Sequence, residues 1–126
     1  MLVADIRQTA PDWAVKQRRL IASIEEAVPL FLAAHTLESG GLRRHGKLDD
    51  DYECFKDWPL FYIIGGADEI LESSLKSWDA ITGQRADKGD IYREFIKSGD
   101  MLHISEGYVG FQYFGLADPT NQRNRD

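Results

Sequence analysis

Phe61-Tyr-Ile-Ile-Gly65-Gly-Ala67-Asp68 returns fifty residues later as Phe111-Gln-Tyr-Phe-Gly115-Leu-Ala117-Asp118. Four of the eight positions are identical, at the spacing F-x-x-x-G-x-A-D, and most of those between are apolar. Upstream, Trp58 in the first copy answers to Tyr108 in the second. A fixed period of this size marks stacked supersecondary units, none of which can bury its apolar face alone. The fold class expected is all-α. The 126 residues hold about two and a half such units.

The flanking sequence reads as helices. Trp13, Leu20, Ile21, Ile24, Val28, Phe31, Leu32 and His35 recur at three- and four-residue steps, which predicts a helix from Asp12 to about Thr36. Pro11 suits the position just before its first turn, Pro29 should kink or divide it, and Glu38-Ser-Gly-Gly should end it. From about Tyr52 to Ile64 the chain is apolar nearly all round, the pattern of an enclosed helix stopped by Gly65-Gly66. Ile70, Leu71, Leu75, Trp78 and Ile81 give a single stripe between Asp68 and Gln84, with Asp68 as cap. A fourth helix, from about Ser105 to Leu116, again looks enclosed. Asp118-Pro119 then resembles the N-cap and first turn of another outer helix. Alternating enclosed and amphipathic helices are what a layered array of hairpins requires. A polar end at Asp126 suggests the N-terminal piece of a longer protein.

Composition narrows the partners. Apolar residues make up 43% and charged residues 29%, a globular mixture. The net charge of −6 argues against nucleic acid or an anionic membrane as ligand. Cys54 is the single cysteine, which excludes an internal disulfide and a cysteine-based zinc site, and it reads as a buried structural thiol. No apolar run approaches the roughly 20 residues of a membrane-spanning helix. The first residues lack the pattern of a signal peptide, so a cytoplasmic protein is expected. No residue pattern calls for a metal or organic cofactor. There is no P-loop, no dinucleotide fingerprint and no nucleophile elbow.

Two polar clusters stand out. Asp49-Asp50-Asp51-Tyr52-Glu53 lies at the expected entry of the second helix. Carboxylates there are favoured by the helix dipole, but three successive aspartates cannot all cap one helix. Two acids in different environments can divide the roles of acid and base. The second cluster is Met101-Leu-His103-Ile-Ser105-Glu106-Gly107-Tyr108, in which His103 and Glu106 are spaced to meet on one turn. Across the fifty-residue offset His103 aligns with Glu53, which puts both clusters at one end of two equivalent helices. Acids beside Tyr52, Trp58 and Tyr108 suit a sugar cleft. His45, within Arg43-Arg44-His45-Gly46-Lys47, reads as part of a solvated basic loop that can hold an anionic group.

Residues 49–66 and 103–119 resemble the (α/α) toroid, or six-hairpin, proteins of the glycosidase-like superfamily. In particular they are similar to a bacterial group with an E-S-F-x-N-W-P-L-F-Y-x-L-G-G-D signature, although Cys54 stands for its Ser and Asp57 for its Asn. The resemblance implies an incomplete toroid of about two helical hairpins. It also implies a carbohydrate-active protein, a glycoside hydrolase or polysaccharide lyase acting on an oligosaccharide or polysaccharide. Carried over residue by residue, it makes Asp51, Glu53, His103 and Glu106 the catalytic candidates, with Glu53 as acid and Asp51 as partner. Asp50, Tyr52, Trp58, Tyr108 and Arg44 are the substrate-binding candidates. The alternative is a non-catalytic helical-hairpin module that binds protein or assembles with itself through exposed apolar ends.

Overall fold

The computed structural model describes residues 8–89, 93, 105 and 109–124. Its regular elements are helices, and the fold is all-α. Helix α1 runs Asp12–His35, α2 Leu48–Glu53, α3 Trp58–Ile63, α4 Asp68–Asp87 and α5 Val109–Ala117, followed by a 3-10 turn at Gln122–Asn124. Helix α3 packs against both α4 and α5, and α2 packs against α4. An isolated antiparallel bridge between Thr36 and Leu42 closes the loop that follows α1.

Trp78 on α4 is the centre of the core. Its ring lies 4.5 Å from Tyr52 of α2 and 4.9 and 5.5 Å, edge-on, from Phe111 and Phe114 of α5. One buried indole thus joins three helices, each aromatic pair adding about 0.5–1.5 kcal/mol to the area it buries. Leu42, Leu48, Phe55 and Ile81 are buried in the same cluster, and Phe31 of α1 meets Phe55 and Trp58 edge-on at 5.8 and 5.9 Å. The Tyr52 hydroxyl donates to Thr82 Oγ1 at 2.9 Å, because the Thr82 proton is already committed to the Trp78 carbonyl at 2.8 Å. Burial outweighs this hydrogen bond and raises the Tyr52 pKa.

Several sequence expectations are corrected here. Pro29 lies inside α1 and does not divide it. The proline is exposed, and the Glu25 carboxylate one turn earlier accepts the Ala67 N–H at 2.8 Å, tying this part of α1 to the entry of α4. Helix α1 ends at His35, close to the expected Thr36 and before the glycines, because Thr36 turns to an extended conformation (φ −112°, ψ 156°) while its N–H and hydroxyl cap the Leu32 carbonyl. The single helix expected over 52–64 is two, α2 beginning at Leu48 and a turn over 54–57 separating it from α3. Pro59, without an N–H, fits the first turn of α3 and not the interior of a longer helix. Ala67, not Asp68, is the N-cap of α4.

The two copies of F-x-x-x-G-x-A-D are not structurally equivalent. Gly65 ends α3 with φ of 106°, and the Gly66 and Gly65 N–H groups return to the Phe61 and Tyr62 carbonyls, a Schellman closure. Gly115 instead lies inside α5, since Leu116 in place of a second glycine lets the helix continue to Ala117. Nor is α5 enclosed: Val109, Phe111 and Leu116 are substantially exposed, as are Ile63 at the end of α3 and Ile64 just after it. Asp118-Pro119 starts no new helix. Residues after α5 fold back on it, with the Asn124 side-chain amide donating to the Phe114 and Asp118 carbonyls. Arg123 pairs with Asp79 of α4.

The tightest packing in this core is Gly110 of α5 against Trp78. A Cβ there would lie 2.4 Å from two indole ring atoms. Gly110→Ala is therefore expected to cost about 1–3 kcal/mol and to lower Tm by several degrees in thermal unfolding. Gly83→Ala, in α4 with nothing within 4 Å of the new methyl, should raise stability by about 0.5–1 kcal/mol. Equal stabilisation by both changes would contradict the packing.

Candidate functional site

Three aspartates in a row at the start of α2 meet three different surroundings, because successive helical residues point about 100° apart. Asp49 is fully buried. Asp50 is exposed, and its Oδ2 accepts the Lys47 N–H at 3.0 Å, the return half of a capping box. Asp51 turns inward to α4 and is 1% exposed.

Asp51 is the hub of the site. Its Oδ2 accepts Arg85 Nε at 2.9 Å and Arg85 Nη2 at 2.5 Å, and also His45 Nδ1 at 2.9 Å. Its Oδ1 accepts the Gly46 N–H at 2.7 Å. Arg85 Nη2 further donates to the Gly46 and Lys47 carbonyls at 2.7 and 2.9 Å. The side chains of Asp51 and Arg85 are 2% and 4% exposed. A buried ion pair is tolerable only when its lone pairs and protons are met in this way. The network fastens the 42–47 loop between α2 and α4. Gly46 belongs to the fastening, since a Cβ there would stand 2.9 Å from the Asp50 carboxylate.

The fastened loop, the end of α1 and the start of α2 enclose an open cleft of about 590 Å³. Phe31 and His35 line it from α1, Arg43 and Arg44 from the loop, and Asp50, Asp51 and Cys54 from the α2 side. Cys54 is half-buried and its Sγ donates to the Asp50 carbonyl at 3.3 Å. Burial first, then the negative field of Asp51, Asp50 and Glu53, raises its pKa, so the thiol stays neutral near pH 8.

Of the residues singled out in the sequence, Asp50, Asp51 and Arg44 come together at this cleft. Glu53 does not join Asp51. It forms an i,i+3 ion pair with Lys56 at 2.9 Å. Tyr52 is a core residue beneath Trp78, and Trp58 is half-buried against Phe31 and Phe55. His103, Glu106 and Tyr108 lie outside the described residues. His45 is not solvated but held on Asp51.

Sequence reading missed Arg85 by ending the helix at Gln84. The signal was there: Arg85 falls four residues after Ile81 and seven after Trp78, on the buried stripe of α4. A cation on an apolar stripe asks for a buried anion. Among the described residues no group of three or more His, Cys, Asp or Glu side chains has the geometry to hold a metal ion. No described helix is long and apolar enough to cross a membrane.

The chain belongs to the family described as a domain of unknown function (DUF8034), whose model matches residues 2–126. No curated protein and no solved structure matches it.

Arg85→Met leaves the Asp51 charge buried without its main partner, and should cost about 3–5 kcal/mol in urea unfolding. Adding Asp51→Asn to that variant should recover much of the loss. Glu53→Gln, which breaks only a partly exposed pair, should cost less than about 1 kcal/mol. A Glu53→Gln cost equal to that of Arg85→Met would refute this ranking.

Proposed function

We propose that this member of the DUF8034 family recognises a carbohydrate in the cleft between α1, the 42–47 loop and α2. What carries the reading is the composition of one wall set against another. The aromatic Phe31 of α1, the exposed carboxylate residue Asp50 of α2 and the exposed Arg44 of the loop line the same cleft. Aromatic faces take the apolar C–H side of a sugar ring, and carboxylates and guanidinium groups take its hydroxyls. The volume of about 590 Å³ has room for one or two sugar rings. Resemblance of 49–66 to the glycosidase-like toroids supports the same substrate class.

Turnover by hydrolysis or elimination is the stronger form of this reading. Acid–base catalysis by Glu53 with Asp51 has little in its favour, because each carboxylate is committed to a cation of its own. Asp50 is the acid best placed to meet a ligand hydroxyl: one oxygen holds the Lys47 N–H, leaving the other for the ligand.

Calorimetric titration with tri- and tetrasaccharides tests the proposal. Binding is expected, weakened about tenfold by Asp50→Asn, as for loss of one charge-assisted hydrogen bond, and unchanged by Glu53→Gln. No binding of any oligosaccharide at millimolar concentration would overturn the reading, and so would an Asp50→Asn variant that binds like the parent.

A further inference from the structure

Arg43 borders two clefts, not one. Beyond it lies a second depression of about 410 Å³, walled by the end of α1, the 36–43 loop and the middle of α4. Ser73 and Ser77, one turn apart on α4, line this depression, as does Lys76. Ser73 is half-buried, whereas Ser77 is 1% exposed and lies behind the surface of the depression. The 36–43 loop crosses close over the base of Lys76. Gly40, with φ of 95°, sits so close that a Cβ would lie 3.0 Å from the Lys76 Cγ and its carbonyl oxygen. The Arg43 main chain is held as well, its N–H donating to the His35 carbonyl at 2.9 Å.

The molecule carries a net charge of −6. Yet Arg43, Arg44 and Lys76, all exposed, have no acid within ion-pair distance among the described residues. Asp50 borders the first cleft and Glu38 the second, so the three cations exceed the two acids left uncompensated there. Asp51 is already neutralised by Arg85. Three such cations along two adjoining clefts of an acidic protein favour a ligand with more than one negative group.

We infer that the two clefts act as one track over Arg43, and that its ligand is an acidic oligosaccharide carrying a carboxylate or sulfate on successive sugars. One acid group meets Arg44 and Arg43 beside Phe31. The next meets Lys76 and Arg43, with Ser73 supplying a hydroxyl. This rests on the carbohydrate reading of the first cleft and extends it to the charge and length of the chain bound. The inference makes two demands that a single neutral-sugar site does not: dependence on Lys76, which lies outside the first cleft, and dependence on the number of acid groups.

The test is calorimetric titration at low and moderate salt with four probes: tetragalacturonate, a heparin-derived tetrasaccharide, monomeric galacturonate and maltotetraose. Parent, Arg43→Gln, Lys76→Gln and the control Arg19→Gln are compared, with circular dichroism to verify folding of each. Tetragalacturonate or the sulfated tetrasaccharide should bind at least about tenfold more tightly than the monomer and than maltotetraose. Binding should weaken as salt is raised. Arg43→Gln and Lys76→Gln should each cost about five- to tenfold, and Arg19→Gln nothing. The tighter of the two acidic probes identifies the acid group. Maltotetraose binding as well as the acidic probes, or a Lys76→Gln variant equal to the parent, would overturn the inference while leaving carbohydrate recognition standing. Failure of all four probes would overturn both.

Discussion

The Asp51 carboxylate, buried and gripped by Arg85, is the constraint around which the site is built. Taking both charges out of water is costly, and the cost is offset only where every remaining donor and acceptor is met. Here the 45–47 backbone meets them. The Gly46 N–H goes to Asp51, and the Gly46 and Lys47 carbonyls go to Arg85. The loop therefore has its conformation dictated by the ion pair. That conformation in turn puts Arg43 and Arg44 on the cleft and starts α2 at Leu48. On the far side, Trp78 and Ile81 lie on the same stripe of α4 as Arg85, so the polar hub and the aromatic core share one helix.

Much of the fold was legible because helical periodicity is a local signal. The stripe of α4 reads directly from Ile70 to Ile81, and the start of α1 at Asp12 follows from Pro11 and the pattern after it. What was not legible depended on partners distant in sequence. The helix over 52–64 looked continuous because its apolar residues run on. The break at 54–57 follows from Pro59 together with the demand that α2 present Asp51 to Arg85. The repeat misled for a related reason. Identity at Phe, Gly, Ala and Asp says nothing about the one position, Gly66 against Leu116, that decides whether the helix stops. Exposed faces on α3 and α5 likewise show that an apolar segment is not by itself an enclosed one.

The acid run illustrates the same limit at the level of chemistry. Read as composition, Asp49-Asp50-Asp51-Tyr52-Glu53 is a store of carboxylates for catalysis. In the fold the four acids go separate ways. Asp49 is buried, Asp50 holds the Lys47 N–H beside the cleft, Asp51 anchors the loop and Glu53 pairs with Lys56. The residues that give the cleft its character, Arg43 and Arg44, sit in a loop that looked like solvated surface. Their placement depends on Arg85, which lies far along the chain on α4.

If the ion pair fixes the loop, the Gly46 amide is the most direct reporter of it. This N–H lies in a loop on an exposed residue, where an amide bonded only to water would exchange in seconds or less near neutral pH. Bound to the Oδ1 of Asp51, it should instead exchange only when the 42–47 loop detaches from Arg85. Native-state hydrogen exchange followed by NMR should show Gly46 protected to nearly the same free energy as the amides in the middle of α4. Exchange of Gly46 at the rate of an unstructured loop, with α4 still protected, would contradict the anchoring role of Asp51.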